Sequence, residues 1–274
     1  MDNLIINVNS NFADKTKYTS SNFVYHLDEE IKNIAYMKLG SVEFPSSTYN
    51  FLLSKANTSF KIGDGSVEDT VTIADGNYTT DTITVAIQDK LDLINSSRSK
   101  NYEIDLDINT GHLFFTSDDS FRIDFSNDDV GYGSLGFHMG FDDNVYTDNS
   151  RIEADKVVRL NNMLYYFLKI NDIDNVQDYY IKNGFAKIIQ TTGSFDFTFQ
   201  GKGDFVAKEK VFRSPINISK LNVQLVDYRD RIIDLNGLDF SFTLEIGYVY
   251  DKKLYEELNN NGIPNGDHRT KYFY

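Results

Sequence analysis

Between Pro215 and Ile246 apolar side chains recur with the spacing of extended chain. Ile216, Ile218, Leu221, Val223 and Leu225 form one set; Leu238, Phe240, Phe242, Leu244 and Ile246 form another at strict period two. Successive side chains of a strand point to opposite faces, so this spacing puts one face in a core and the other in solvent or against a partner. The block therefore predicts two buried strands, Leu221–Val226 and Phe240–Ile246. Their connecting loop carries Asp227, Arg229, Asp230, Asp234 and Asn236-Gly237. Nothing in it is arranged for chemistry. It reads as scaffold.

The rest of the chain supports a β-rich fold. Its 21 Phe and 18 Tyr, with many Ile, Val and Thr, favour strands, and only 3 Pro and 17 Gly leave most turns to Asn, Asp and Ser. At 274 residues the chain can bury a large core, either as one all-β domain with an insertion or as two smaller domains. A net charge of −14, from 41 acidic and 27 basic residues, argues against direct nucleic-acid binding, which needs clustered Lys and Arg. With no cysteine, disulfides and thiolate metal sites are excluded. No apolar run approaches the roughly 20 residues of a spanning helix. Met1–Asn7 lacks the basic and apolar segments of a signal peptide, so a soluble protein made in the cytoplasm is expected.

Along the chain, Leu4, Ile6 and Val8 predict a short strand, and a second apolar stretch runs from Phe23 through Ile31–Val42 to Pro45, where a strand must end or lie at an edge. Ser59–Ile62 and Thr70–Ile73 flank the turn Gly63–Ser66 and predict a hairpin. Ile83, Ile87, Leu91 and Ile94 make one helical stripe. Three strands follow, giving a ββαβββ unit expected to form one sheet with a helix packed on it. Asp142–Ala154 reads as a polar linker. Alternation returns at Leu164–Ile170, Phe185–Gln190 and Phe195–Gln200, and Lys253–Leu258 is a candidate short helix.

Several segments together resemble the minor capsid and penton-type proteins of nucleocytoplasmic large DNA viruses. They are Asn22-Phe-Val-Tyr-His-Leu27 with Ile34, Ser41-Val-Glu-Phe-Pro45 with Tyr49-Asn50, and Val71-Thr-Ile-Ala-Asp-Gly-Asn-Tyr78. Ser134-Leu-Gly-Phe137, Leu168-Lys-Ile-Asn-Asp172 and the Pro215–Ile246 block complete the set. The resemblance implies an all-β jelly-roll sandwich with an inserted α+β subdomain. Residues 1–57 and 142–250 would form the sandwich, 58–141 the insertion and 251–274 a C-terminal tail. It implies a non-enzymatic virion component without cofactors, packed against the major capsid protein and other minor capsid proteins, with a homopentamer at the vertices as one arrangement. The alternatives are a receptor- or glycan-binding sandwich of a viral spike, fibre or phage tail or baseplate, and a hydrolase.

Candidate sites are few. Arg229, Asp230 and Arg231 read either as a solvated loop with an internal ion pair or as a contact loop facing a capsid neighbour. Tyr272, Phe273 and Tyr274 are an aromatic group in a polar stretch, read either as a frayed tail or, preferably, as docked on a neighbour. Asp105–Gly111 has the letters of a calcium loop but the wrong Gly and Glu spacing; Leu106 and Ile108 instead make Asp105 and Asp107 the wet face of a strand. His26, His112, His138 and His268 share no ligand spacing, and His26 reads as a half-buried packing residue. Gly131–Gly136 has the letters of a dinucleotide loop, in an acidic context with neither strand before nor helix after expected.

Overall fold

A computed structural model describes residues 1–126, 133–142, 144–148, 150–161, 165–190, 197–200 and 209–260, with 197–200 and 260 described by backbone alone. In chain order its elements are β1 (Asp2–Asn9), β2 (Asn22–Pro45), β3 (Ser59–Gly63), β4 (Glu68–Thr72), α1 (Thr80–Arg98), β5 (Glu103–Asp107), β6 (His112–Thr116) and β7 (Phe121–Asp124). There follow α2 (Leu135–Met139), β8 (Val145–Asp148), β9 (Arg151–Glu153), β10 (Tyr165–Ile170), β11 (Ala186–Ile189), β12 (Phe197–Gln200), β13 (Lys210–Val226), β14 (Ser241–Tyr248) and α3 (Lys252–Asn260). They divide into two compact units, Met1–Thr48 with Leu164–Tyr274, and Tyr49–Met163. The division falls outside the 58–141 span drawn from sequence texture on both sides.

The first unit is an antiparallel, jelly-roll-type sandwich built on β2. Its strands follow the order β1-β14-β2-β13-β10-β11, with β12 also on β2. Along one edge β2 takes β14, from Ile34 to Glu43. Along the other it takes β13 over Asn22–Met37 and β12 over Val42–Pro45. Asn33, at φ 54°, stands beside Ile34, where the ladder with β14 begins. A side chain pays for this left-handed conformation, and Asn is among the residues that tolerate it. The ladder with β13 slips repeatedly there, between Val211 and Lys220. Such bulges bend a strand and increase its twist.

The alternation of the 215–246 block holds over Leu221–Leu225 and Phe242–Ile246, while Ile216 is only half-buried. Leu221, Val223, Leu225, Phe242, Leu244 and Ile246 are all buried. The two strands do not pair with each other, however, because β2 lies between them. Leu238 is exposed and belongs to the loop rather than to β14. Rings meet across the fold: Phe23 lies edge-on to Phe240 at 6.0 Å, and Phe44 edge-on to Tyr166 at 4.9 Å. Tyr166 is on β10, two strands from β2 in the ladder order, so the Phe44 contact joins strands that are not paired with each other.

The second unit departs from the expected single sheet. It holds two, β4-β3-β7-β8 and β5-β6-β9. The supposed linker 142–154 supplies a strand to each: β8 pairs with β7, and β9 with β6. These strands were invisible to periodicity because three or four residues with one buried side chain, Ile152, carry too little pattern. Helix α1 is as expected, with Ile83, Ile87 and Leu91 fully buried and Ile94 partly so. Its start is a reciprocal capping box: the Thr82 backbone N–H donates to Thr79 Oγ1 at 3.2 Å, and the Thr79 N–H donates to Thr82 Oγ1 at 2.8 Å.

Candidate interaction surface at the 227–238 loop

Where β13 ends, Asp227 is buried and organises the following turn. One carboxylate oxygen accepts from the backbone N–H of Arg229 at 2.8 Å and of Arg231 at 3.0 Å; the other accepts from the Arg231 guanidinium at 2.7 Å. The backbone closes on itself too, with the Asp227 N–H donating to the Arg231 carbonyl at 2.9 Å. An Asp side chain readily caps a turn of this kind. Asp230, at φ 65°, sits at its tip and accepts from Lys169 Nζ on β10 at 2.9 and 3.2 Å.

The three charged residues singled out in sequence thus do different jobs. Arg231 is turned back onto Asp227, and Asp230 is held by Lys169. The Arg229 guanidinium lies 5.8 Å from the Tyr180 ring centroid and 5.7 Å from that of Tyr228, a cation–π arrangement. Tyr179 is 80% exposed and stands edge-on to Tyr180 at 4.8 Å, with Ile232 and Leu238 also exposed on the 227–238 loop. Tyr and Arg are the residue types most enriched where protein partners bind tightly. Sequence reading missed the tyrosines. The Tyr179-Tyr180 dipeptide in an otherwise polar stretch was the available signal.

The other sequence candidates resolve plainly. Tyr272, Phe273 and Tyr274 lie outside the described residues. Asp107 accepts from the backbone N–H groups of Asn109 and Thr110, and these bonds hold its carboxyl below the ordinary range. Ile108 is 86% exposed, so the strand stops at Asp107 and the residue stands in a turn instead of on a buried face. His26 is exposed on β2 opposite Lys220, contrary to the half-buried expectation. A helix does follow the Gly-rich run, whose residues 131 and 132 lie outside the description. That helix is the five-residue α2, capped by Ser134 Oγ accepting from the Phe137 N–H at 3.0 Å, and it buries Leu135 and Met139 in the core of its unit. Among the described residues, no three His, Asp or Glu side chains gather closely enough to hold a metal ion.

By sequence, no known protein family and no curated protein matches the chain. A solved structure does. The crystal structure of SeMet-labelled mavirus penton protein aligns with a TM-score of 0.51 at 9% identity, covering 91% of this chain and 100% of that one. The chain has the fold of that penton protein. An identity so low carries the backbone arrangement and leaves the surfaces free to differ.

Proposed function

We propose that the protein is a structural virion component, a penton or minor capsid protein of an icosahedral shell. The observation that carries this reading is the fold match, which spans the whole of the penton chain. A sandwich suits such a role because its two sheets bury their inner faces and leave the connecting loops for neighbours. The partners are the major capsid protein and other minor capsid proteins, met through the 227–238 loop. Arg229 makes the contact with Tyr179 and Tyr180, while Asp230 and Arg231 hold the loop in shape. As a penton, five copies would close a ring around each vertex through head-to-tail contacts. No catalytic group or cofactor enters this account. The protein would be made in the host cytoplasm, and no described helix is long and apolar enough to cross a membrane.

Quantitative mass spectrometry of gradient-purified particles tests the reading as copies per major capsid subunit. Five copies per vertex indicate the penton, and a larger, symmetry-related number a cement protein. Absence from the particle overturns the proposal. The exposed Tyr179–Tyr180 pair favours one second reading, a glycan-binding head, since aromatic faces stack on sugars. Glycan-array binding that Tyr179→Ala abolishes would support it.

A further inference from the structure

Helix α3 follows β14 almost at once and leaves a groove of about 230 Å³ beside the strand. Val249, Tyr250, Leu254, Tyr255 and Leu258 line it, with Met1 at one end. Tyr250 and Leu254 of the lining are exposed, and the apolar character extends beyond the groove to the exposed Leu4 and Ile5 on β1. Among the described residues no strand pairs with the outer edge of β1, whose only charged residue is Asp2. A long, unpaired edge with apolar side chains is a template for another chain, because its backbone N–H and C=O groups have no partner. Groove and edge are contiguous through Asp2, which accepts a hydrogen bond from the Tyr250 hydroxyl.

We propose that this groove is the socket for the Tyr272-Phe273-Tyr274 group of a second copy of the chain. Three features select that occupant. The group is aromatic, and the groove is apolar with tyrosine hydroxyls at its margin. The preceding residues include His268, Arg269 and Lys271, while the groove carries Asp2 and Asp251 at its rim, so the charges are complementary. Length permits the second copy. Thirteen residue steps lead from Asn260 to Phe273 and can span about 43–47 Å when extended. Returning along α3 would need only about 13 Å, the length of its nine residues. That reach is enough to cross to an adjacent subunit. Donor segment and acceptor groove are different surfaces of one chain, which is what a head-to-tail contact requires. The inference rests on the capsid reading for the presence of a neighbouring copy, and supplies the contact that joins them.

The test replaces Phe273 with the photo-cross-linker p-benzoylphenylalanine in the full chain and mixes 15N-labelled with unlabelled copies. The expected result is cross-linked peptides of mixed isotope that join residue 273 to Met1 or to residues 249–259. Leu254→Arg, at an exposed position that leaves the core intact, should lower their yield about tenfold, the effect of losing one buried apolar side chain. Circular dichroism confirms that this variant is folded. Groove cross-links of single isotope alone, cross-links elsewhere, or none overturn the inference. Native mass spectrometry separates the two readings. Pentamers cross-linked elsewhere would sink the socket and leave the capsid reading standing. Mixed-isotope cross-links at the groove in a protein absent from virions would do the reverse.

Discussion

The two units of the chain reach a buried core by opposite routes. In the sandwich unit the strands are long: β2 has 24 residues and β13 has 17, and partners far apart in sequence zip along them. The unit at Tyr49–Met163 uses strands of three to five residues, too short to be held by their own ladders. What holds it is a cluster of rings. Phe125 stacks on Phe141 at 4.7 Å, tilts on Phe60 at 5.2 Å and stands edge-on to Tyr146 at 6.1 Å. Long ladders distribute stabilisation over many small increments, whereas a ring cluster concentrates it in a few side chains. The second unit should therefore be far more sensitive to a single core substitution, and the first to disruption of its turns and strand ends.

The sharpest way to break this contrast is Phe125→Ala. Removing a fully buried ring should cost about 3–5 kcal/mol. Calorimetry should then show the transition of that unit lost or shifted well down while the sandwich transition stays in place; equal shifts in both would refute the contrast. In the sandwich the largest single effect should come from Asp227→Ala. It orphans two backbone N–H groups at a buried position and takes the carboxylate from the Arg231 guanidinium, costing about 3 kcal/mol. Urea unfolding measures that loss, and Arg231→Ala should cost less because the backbone bonds survive. Thr79→Ala removes the α1 cap and should cost about 1 kcal/mol, read as a small shift confined to the transition of the second unit.

The smallest effect is electrostatic and belongs to the sandwich. Burial pushes the Asp239 carboxyl up, but hydrogen bonds from Lys15, Ser10 and Ser20 outweigh it and the net shift is down from 3.8. A carboxyl lowered by folding stabilises the fold at pH values above 3.8, and that contribution disappears as pH falls through the lower folded value. Wild type should exceed Asp239→Asn by less than about 1 kcal/mol at pH 7, since both partners are partly exposed. The difference should shrink on acidification below pH 3.8. A difference that persists to pH 2 would locate the effect in packing instead.

How much could be read in advance follows the length of each pattern. The β3–β4 hairpin and the end of β2 follow from the turn at Gly63–Ser66 and from Pro45. The buried faces at Leu221–Leu225 and Phe242–Ile246 and the stripe of α1 follow from side-chain periodicity, because each spans enough residues to show its period. β8 and β9 are too short for that, and the second sheet they complete went unseen with them. At the candidate surface the Arg229–Arg231 charges were legible as a cluster, but their separate roles were not. Whether an arginine turns in or out depends on Asp227 being buried beneath it and on Lys169 lying on a strand some sixty residues earlier.

By itself, then, the order of residues determined which faces are apolar, where the longer strands and helices lie, and the resemblance to penton-type proteins. Only the tertiary structure decided which strands are neighbours. The insertion of β2 between β13 and β14, the placing of Tyr180 beside Arg229, and the meeting of Met1 with α3 at the groove depend on contacts between residues distant in sequence. Periodicity records which side of a strand is buried, and carries no information about what buries it.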